Sequence, residues 1–314
     1  MHTYLARRLL LTLFILICLS VIVFLAIHAI PGDIVEVMLG QEATPENVAA
    51  LRKSLGVDKP VYVQYFRWLL SILQGDFGDS LRTGRPVLGE ILYRLPVTLE
   101  LTLFAMVISL FISIPMGVLC AVKQNSWFDH LLRPISILGL SVPSFWWGVL
   151  FIILISRYLP HLYSSGYVGI LEDPQENLKA IVPPAVALGI AMAAVVTRFT
   201  RSSLVEALQE DYVTTARAKG LTETRTVGKH ALRNSLINVL TIVGLQWGSL
   251  LSGAVLVEYV FSLPGVGRLA LDGVLQRDYP MVQGTVLVIA FLFVMSNVVV
   301  DILYGFLDPR IRLS

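Results

Sequence analysis

Six long apolar runs, set apart by polar stretches, organise this chain: Leu9–Ile30, Val97–Val122, Pro134–Leu159, Ile181–Thr197, Leu236–Phe261 and Val282–Leu307. Each is long enough to cross a bilayer as a helix, which takes roughly 17 to 25 residues. The third run is interrupted by Ser141-Val142-Pro143-Ser144, which predicts a bend facing protein or a water-filled path rather than lipid. Between the first and second runs, residues 31–96 are mixed and polar, beginning with the helix-ending Pro31-Gly32-Asp33. Thr44-Pro45-Glu46 reads as a helix start and Gly56 as its stop. A second short helix begins after Pro60, with Val61, Tyr65, Trp68, Leu69 and Ile72 along one side, where Tyr and Trp suit a membrane interface. A turn follows at Gly75-Asp76-Phe77-Gly78-Asp79-Ser80, and Arg85–Pro96 forms a short amphipathic lead into the second run.

The longest polar run of the C-terminal half is Arg198–Arg233. Leu204, Leu208, Tyr212 and Ala216 recur every fourth residue, which predicts one helix with these four along one side. Gly220 suits its stop, because glycine takes the left-handed conformation there without a side-chain clash. A second short helix is expected from Glu223 to about Asn238, and 262–280 is expected to be a turn-rich loop.

Charge sets the sidedness. Arg7 and Arg8 precede the first run, the loop Lys123–Arg133 is basic, and Arg198–Arg233 holds seven Lys/Arg against four Asp/Glu. Lys and Arg favour the cytoplasmic side, so six spans with both termini inside is the consistent count. The Arg and Lys of residues 31–96 fall in a segment longer than the roughly 60 residues for which that rule holds. A secretory signal has an apolar core of about 7–15 residues and a cleavage site; the first run is longer and shows none, so it is read as a retained span.

Composition agrees. The chain is 55% hydrophobic and 15% charged, against about 25% charged in a soluble domain. Cys18 and Cys120 both lie in apolar runs and read as small buried side chains. Small residues spaced by four form stripes at Ser109, Ser113, Gly117 and Ala121, at Ala185, Gly189, Ala193 and Thr197, and at Gly244, Gly248 and Ser252. Such stripes let helices approach closely in lipid.

Several chemistries are missing from the sequence. It has no Gly-x-x-x-x-Gly-Lys-Ser/Thr loop to cradle nucleotide phosphates. His2, His28, His130, His161 and His230 are scattered, so no metal site is expected, and nothing gathers Ser, His and Asp for nucleophilic catalysis. Glu100, Glu258 and Asp301 lie near span ends, leaving the span centres almost without charge. Ion-coupled carriers need ionisable groups along an inner path. Energy for any transport is therefore expected from outside the bilayer, through the polar run.

Glu206-Ala207 followed by Asp211-Tyr212-Val213-Thr214-Thr215-Ala216-Arg217-Ala218-Lys219-Gly220-Leu221 resembles the cytoplasmic "EAA" loop of ABC importer permeases, most closely those of the oligopeptide/dipeptide/nickel family. Gly75-Asp76-x-Gly78-x-Ser80, Pro264-Gly265-x-Gly267, Arg277-Asp278-Tyr279 and Asp308-Pro309-Arg310 are similar to further elements of that family. The resemblance runs from Arg7 to Arg312. It implies an all-α polytopic membrane protein of the type I ABC importer permease fold, multi-pass in the bacterial inner membrane. Its parts would be an N-terminal span (1–30), an extracytoplasmic region (31–96), a five-helix core (97–307) containing a coupling loop (198–235), and a cytoplasmic tail (308–314). It implies that Glu206–Leu221 docks on an ATP-hydrolysing subunit. The implied partners are a second, similar permease, two ATPase subunits that hold ATP and Mg, and an extracytoplasmic substrate-binding protein, with no nucleic acid. Small peptides are the expected solute; nickel, glutathione or another small solute is the alternative within the family. A stand-alone carrier or channel is the alternative outside it, and no inverted repeat supports it.

Overall fold

A computed structural model of the chain describes residues 2–29, 44–55, 58–162 and 166–307. Pro31–Asp33, Gly56 and the Asp308–Arg312 element lie outside the described residues. Helices account for most of what is described: α1 (His2–His28), α2 (Pro45–Leu55), α3 (Val61–Leu73), α4 (Val87–Val122), α5 (Trp127–Ser141), α6 (Ser144–Tyr158), α7 (Pro174–Leu208), α8 (Asp211–Ala218), α9 (Glu223–Val260), α10 (Val266–Gln276) and α11 (Tyr279–Leu307). Among the described residues, five helices are long and apolar enough to span a membrane, or six if α5 and α6 make one broken span.

The span ends differ from the apolar runs in ways the local chemistry explains. The expected lead Arg85–Pro96 is not separate: α4 runs unbroken from Val87, with Pro96 and Pro115 inside it. The third run divides into α5 and α6, which meet at 102°. Val142, placed before Pro143, is extended (φ −94°, ψ 126°), in keeping with the way a proline ring disfavours the helical conformation in the residue before it. α7 starts where Asp173 caps it, accepting from the amides of Gln175 and Glu176, with Pro174 at the first helical position. It then continues past Thr197 to Leu208, so Glu206 and Ala207 belong to this long helix. The stretch after Phe261 is not only turn: α10 occupies most of it, and Gly267 lies inside that helix.

The chain divides into two compact units. One takes in His2–Pro96 and Gly265–Val294. Within it, Phe24 of α1 packs on the rings of Tyr65 and Trp68 at 5.4 and 5.5 Å, and Ser20 Oγ lies 2.8 Å from Tyr65 Oη. These aromatic residues therefore hold α3 to α1, where the sequence suggested interfacial anchors. A second cluster joins Val87 and Ile91 to Val266, Leu269 and Met281.

The other unit takes in Val97–Pro264 and the chain from Met295. α7 is its centre: 61% of its apolar window is buried, against 22 to 39% in the other long helices. Ile181, Ala185, Leu188, Met192 and Val196 of α7 meet Leu101 and Ala105 of α4 and Val239, Leu250 and Ala254 of α9. The helices touch where side chains are smallest. A Cβ added at Gly117 would lie 2.6 Å from Thr200 Cβ, and one at Gly189 would lie 2.8 Å from the Ala105 carbonyl oxygen. Ser113 is buried, and its carbonyl oxygen accepts from Thr197 Oγ1 at 3.5 Å. In α9, a Cβ at Gly244 would overlap Val300, and Gly248 is buried. Ser252 departs from its stripe: it is exposed, its hydroxyl returned to the Gly248 carbonyl, and the close approach falls one residue later, at Gly253 against Leu188.

Gly117→Val is expected to lower stability by about 1–3 kcal/mol, the usual cost of overpacking, read as a fall in thermal unfolding midpoint in detergent. Gly89→Ala, in the same helix with nothing within 4 Å of its added Cβ, should lose none.

Candidate coupling surface and its supports

The polar run folds as two helices with a break, not as one. α7 ends at Leu208, Gln209 and Glu210 leave the helical path, and α8 begins at Asp211. The break resets the helical phase. Had the helix continued, Leu204, Leu208, Tyr212 and Ala216 would share one side; instead Val213 and Ala216 turn inward and Tyr212 turns out. Val213 joins Ala121, Leu204, Ala207 and Ala231 in a small apolar cluster that seats α8 on the ends of α4, α7 and α9. Tyr212 is 40% exposed, and its hydroxyl accepts from Asn234 Nδ2 at 3.3 Å. Every-fourth spacing could not reveal Val213, because the break precedes it.

Among the residues singled out in the sequence, Ala207 and Ala216 are buried supports and Leu221 is half-buried. Glu206, Asp211, Tyr212, Arg217, Ala218, Lys219 and Gly220 are exposed and form the outward face. Gly220 has φ +79°, its amide donates to the Arg217 carbonyl, and the Leu221 amide donates to that of Ala216. This pair of bonds is the Schellman helix stop. Nothing lies within 4 Å of a Cβ built on Gly220, so its requirement within this chain is backbone conformation, not space. Arg217 Nε pairs with Glu223 Oε1 at 2.8 Å, but both are exposed and the bond adds little stability. The helix expected at Glu223–Asn238 is the start of α9 itself, with a π-helical turn at Thr226–Ala231.

Beside this surface, the first turn of α5 is tied to α7 by a charge network that sequence reading missed. Asp129 is fully buried and accepts from Arg201 Nε and Nη2 at 2.7 and 2.8 Å, from Arg133 Nη2 at 2.9 Å, and from the Asn125 amide at 3.1 Å. The fork of Arg201 is a bidentate grip on the carboxylate. Ser126 caps α5 by accepting from the Asp129 amide. Ser126-x-x-Asp129 therefore carried a local signal, that of a helix start; Arg201, 72 residues away, did not.

In the unit of His2–Pro96 and Gly265–Val294, two of the motif elements meet. Ser80 Oγ donates to Asp278 Oδ2 at 2.5 Å, and the amides of Leu81 and Met281 donate to Asp278 Oδ1. Gly75 and Gly78 have φ of +85° and +75°, Asp76 Oδ1 accepts from the Gly78 amide, and Arg277 is left-handed at the end of α10. Asp278 and Tyr279 are buried; Gly265 caps α10 after Pro264. In the α7-centred unit, Glu100 Oε2 accepts from Tyr167 Oη at 2.6 Å and Glu258 Oε1 from Thr98 Oγ1 at 2.7 Å. Burial, and then the Glu100 carboxylate, raise the Tyr167 phenol above its ordinary range, so it stays a donor. Among the described residues no cluster of His, Cys, Asp and Glu has the makings of a metal site.

The family described as "Binding-protein-dependent transport system inner membrane component" matches residues 113–313, and that of its N-terminal part matches residues 1–102. The chain belongs to this family of inner-membrane permeases. It is 40% identical to the dipeptide transport system permease protein DppB of Alkalihalophilus pseudofirmus, over 99% of this chain and 100% of the relative. It is 40% identical to DppB of Escherichia coli K12 and 42% to the di/tripeptide permease DppB of Pseudomonas aeruginosa UCBPP-PA14, over 99% of each chain. A crystal structure of an amino acid ABC transporter with histidines shares the fold, with a TM-score of 0.50 at 17% identity over 71% of this chain and 94% of that one. The family's description places the chain in the inner membrane, working with a binding protein.

Asp129→Ala is expected to cost about 2–3 kcal/mol in thermal unfolding. That is below the roughly 3–5 kcal/mol for breaking a fully buried pair, because Arg201 and Arg133 keep contact with water. Arg133→Ala, which leaves the Arg201 fork intact, should cost under about 1 kcal/mol.

Proposed function

We propose that this chain is a permease subunit of an ATP-driven importer of short peptides, coupled to separate ATPase subunits through Glu206–Leu221. The observation that carries the coupling is the build of α8. Its outer face is polar and exposed, while its inner face is wedged by Val213 and Ala216 into the ends of three long helices. A push on the outer face therefore moves α4, α7 and α9 together. Such an element converts closure of a soluble motor into a change of helix packing, which is the form of coupling a chain without a nucleotide loop needs. The peptide assignment rests on the names of relatives 40–42% identical over nearly the full length.

In this reading α8 and both termini face the cytoplasm, and the region between α1 and α4 faces outward with the Ser80–Asp278 junction. A second permease completes the path, two ATPase subunits hold ATP and Mg, and an extracytoplasmic binding protein delivers the peptide. Glu206, Asp211, Tyr212, Arg217, Ala218, Lys219 and Gly220 supply the docking face, and Ala207, Ala216 and Leu221 support it.

Gly220→Asp tests this. A left-handed φ costs a non-glycine residue about 1 kcal/mol, too little to unfold the chain, but the new carboxylate stands on the docking face. Labelled dipeptide uptake should fall at least about tenfold with membrane insertion unchanged, while the reconstituted complex still hydrolyses ATP. Normal uptake in this variant rejects the coupling role. Purification through a C-terminal tag should bring down the second permease and the ATPases; a homo-oligomer without an ATPase rejects the importer.

A further inference from the structure

Where α4, α5 and α7 converge, a cavity of about 350 Å³ is lined by Arg133, Arg198 and Arg201 together with Leu132, Ile137 and Leu140. Three cations stand against the single carboxylate of Asp129, leaving the rim with a net charge of +2. Arg201 is committed to Asp129, and Arg133 is 48% exposed beyond its one bond. Arg198 is exposed, makes no ion pair among the described residues, and lies over the Phe199 ring at 5.8 Å. A second, more apolar cavity of about 180 Å³ shares Leu132, Ser136 and Thr197 with the first. Its other walls include Ile108, Ile112, Ile135, Gly139 and Ile190.

Along α4 and α7 the two cavities follow one another: the basic part lies at Cys120 and Arg198 and the apolar part runs on to Ile108 and Val186, while on α5 both are lined by the same stretch, residues 129–140. From Thr197 to Val186 the groove follows α7 for about 16 Å at 1.5 Å per residue. One leaflet's hydrocarbon is about 15 Å deep, half of the ~30 Å core. A cationic rim leading into an apolar groove one leaflet deep has the shape and charge of a lipid. We propose that this groove binds an anionic phospholipid, its phosphate on Arg198 and Arg133 and an acyl chain along Ile108, Ile112 and Ile135. A bound lipid would brace α5 against α4 and α7 beside the coupling surface. The proposal rests on the chain spanning the membrane, and on neither the peptide nor the coupling assignment.

The assembled transporter, exchanged into nanodiscs of phosphatidylcholine with a minor fraction of phosphatidylglycerol and then released for native mass spectrometry, tests it. Phosphatidylglycerol should be retained over phosphatidylcholine by at least about tenfold, since each basic residue near a charged surface contributes several-fold. Arg198→Gln should cut that preference several-fold, and Arg198→Gln with Arg133→Gln should abolish it, while Arg198→Lys should keep most of it. The lysine variant separates lost charge from lost folding. Absence of a preference, or a preference unchanged in Arg198→Gln, overturns the proposal. So does displacement by soluble glycerol phosphate as effective as by lipid, which marks a simple anion site, or loss of a partner subunit instead of lipid, which marks a protein contact.

Discussion

Close backbone approach around α7 is the constraint on which the α7-centred unit depends. Lipid tails are as apolar as leucine, so the hydrophobic effect does not drive helices together inside a bilayer, and short-range packing must do so. Packing is strong only at near contact, and near contact needs residues without bulk. Gly117 against Thr200 and Gly189 against the Ala105 carbonyl leave no room for a single methyl group. Gly139 brings α5 nearly as close, an added Cβ standing 3.3 Å from Ala194 Cβ, so that the neighbour would have to give by a few tenths of an ångström. With α4, α5 and α9 drawn to one helix in this way, the remaining contacts of the unit become geometrically possible.

The length of α7 has a mechanical consequence. Because it extends without a break from Pro174 to Leu208, its exposed tip is rigidly part of the packed centre. The break at Gln209–Glu210 then turns α8 so that Val213 and Ala216 grip the tip and Tyr212 is released to the surface. On the far side the chain enters α9 through the π turn at Thr226–Ala231, in a helix that continues to Val260. The exposed face of α8 is thus held between two long helices, packed onto their ends rather than carried on a free loop.

Buried polar pairs complete the framework, and each joins distant parts of the chain. Asp129 with Arg201 ties α5 to α7, and Ser80 with Asp278 ties the turn after α3 to the turn before α11. A buried charge is costly unless fully satisfied. Asp129 meets that demand with two arginines and a backbone amide. Such pairs are weak sources of net stability but strong determinants of which surfaces meet, because a wrong pairing leaves a carboxylate bare.

The apolar runs, the small-residue stripes and the helix stop at Gly220 were legible in the sequence, since each depends on properties of neighbouring residues: hydrophobicity over a span, bulk at every fourth position, and freedom of one backbone angle. The resemblance of Glu206–Leu221 to a known loop was legible for the same reason, being a local string. The long reach of α4 and α7 beyond their apolar cores was hidden, because hydropathy reports where lipid begins and not where a helix ends. The replacement of Tyr212 by Val213 as the buried anchor was hidden by a break that no glycine or proline marks. Asp129 and Arg201 are 72 positions apart, and Ser80 and Asp278 are 198 apart. Nothing in the spacing of either pair records the contact. What the sequence alone determined is where the long apolar helices lie and most of their small faces; where helices break or extend, and which side chains meet across them, was decided by tertiary packing, because that packing alone brings remote groups within hydrogen-bonding distance.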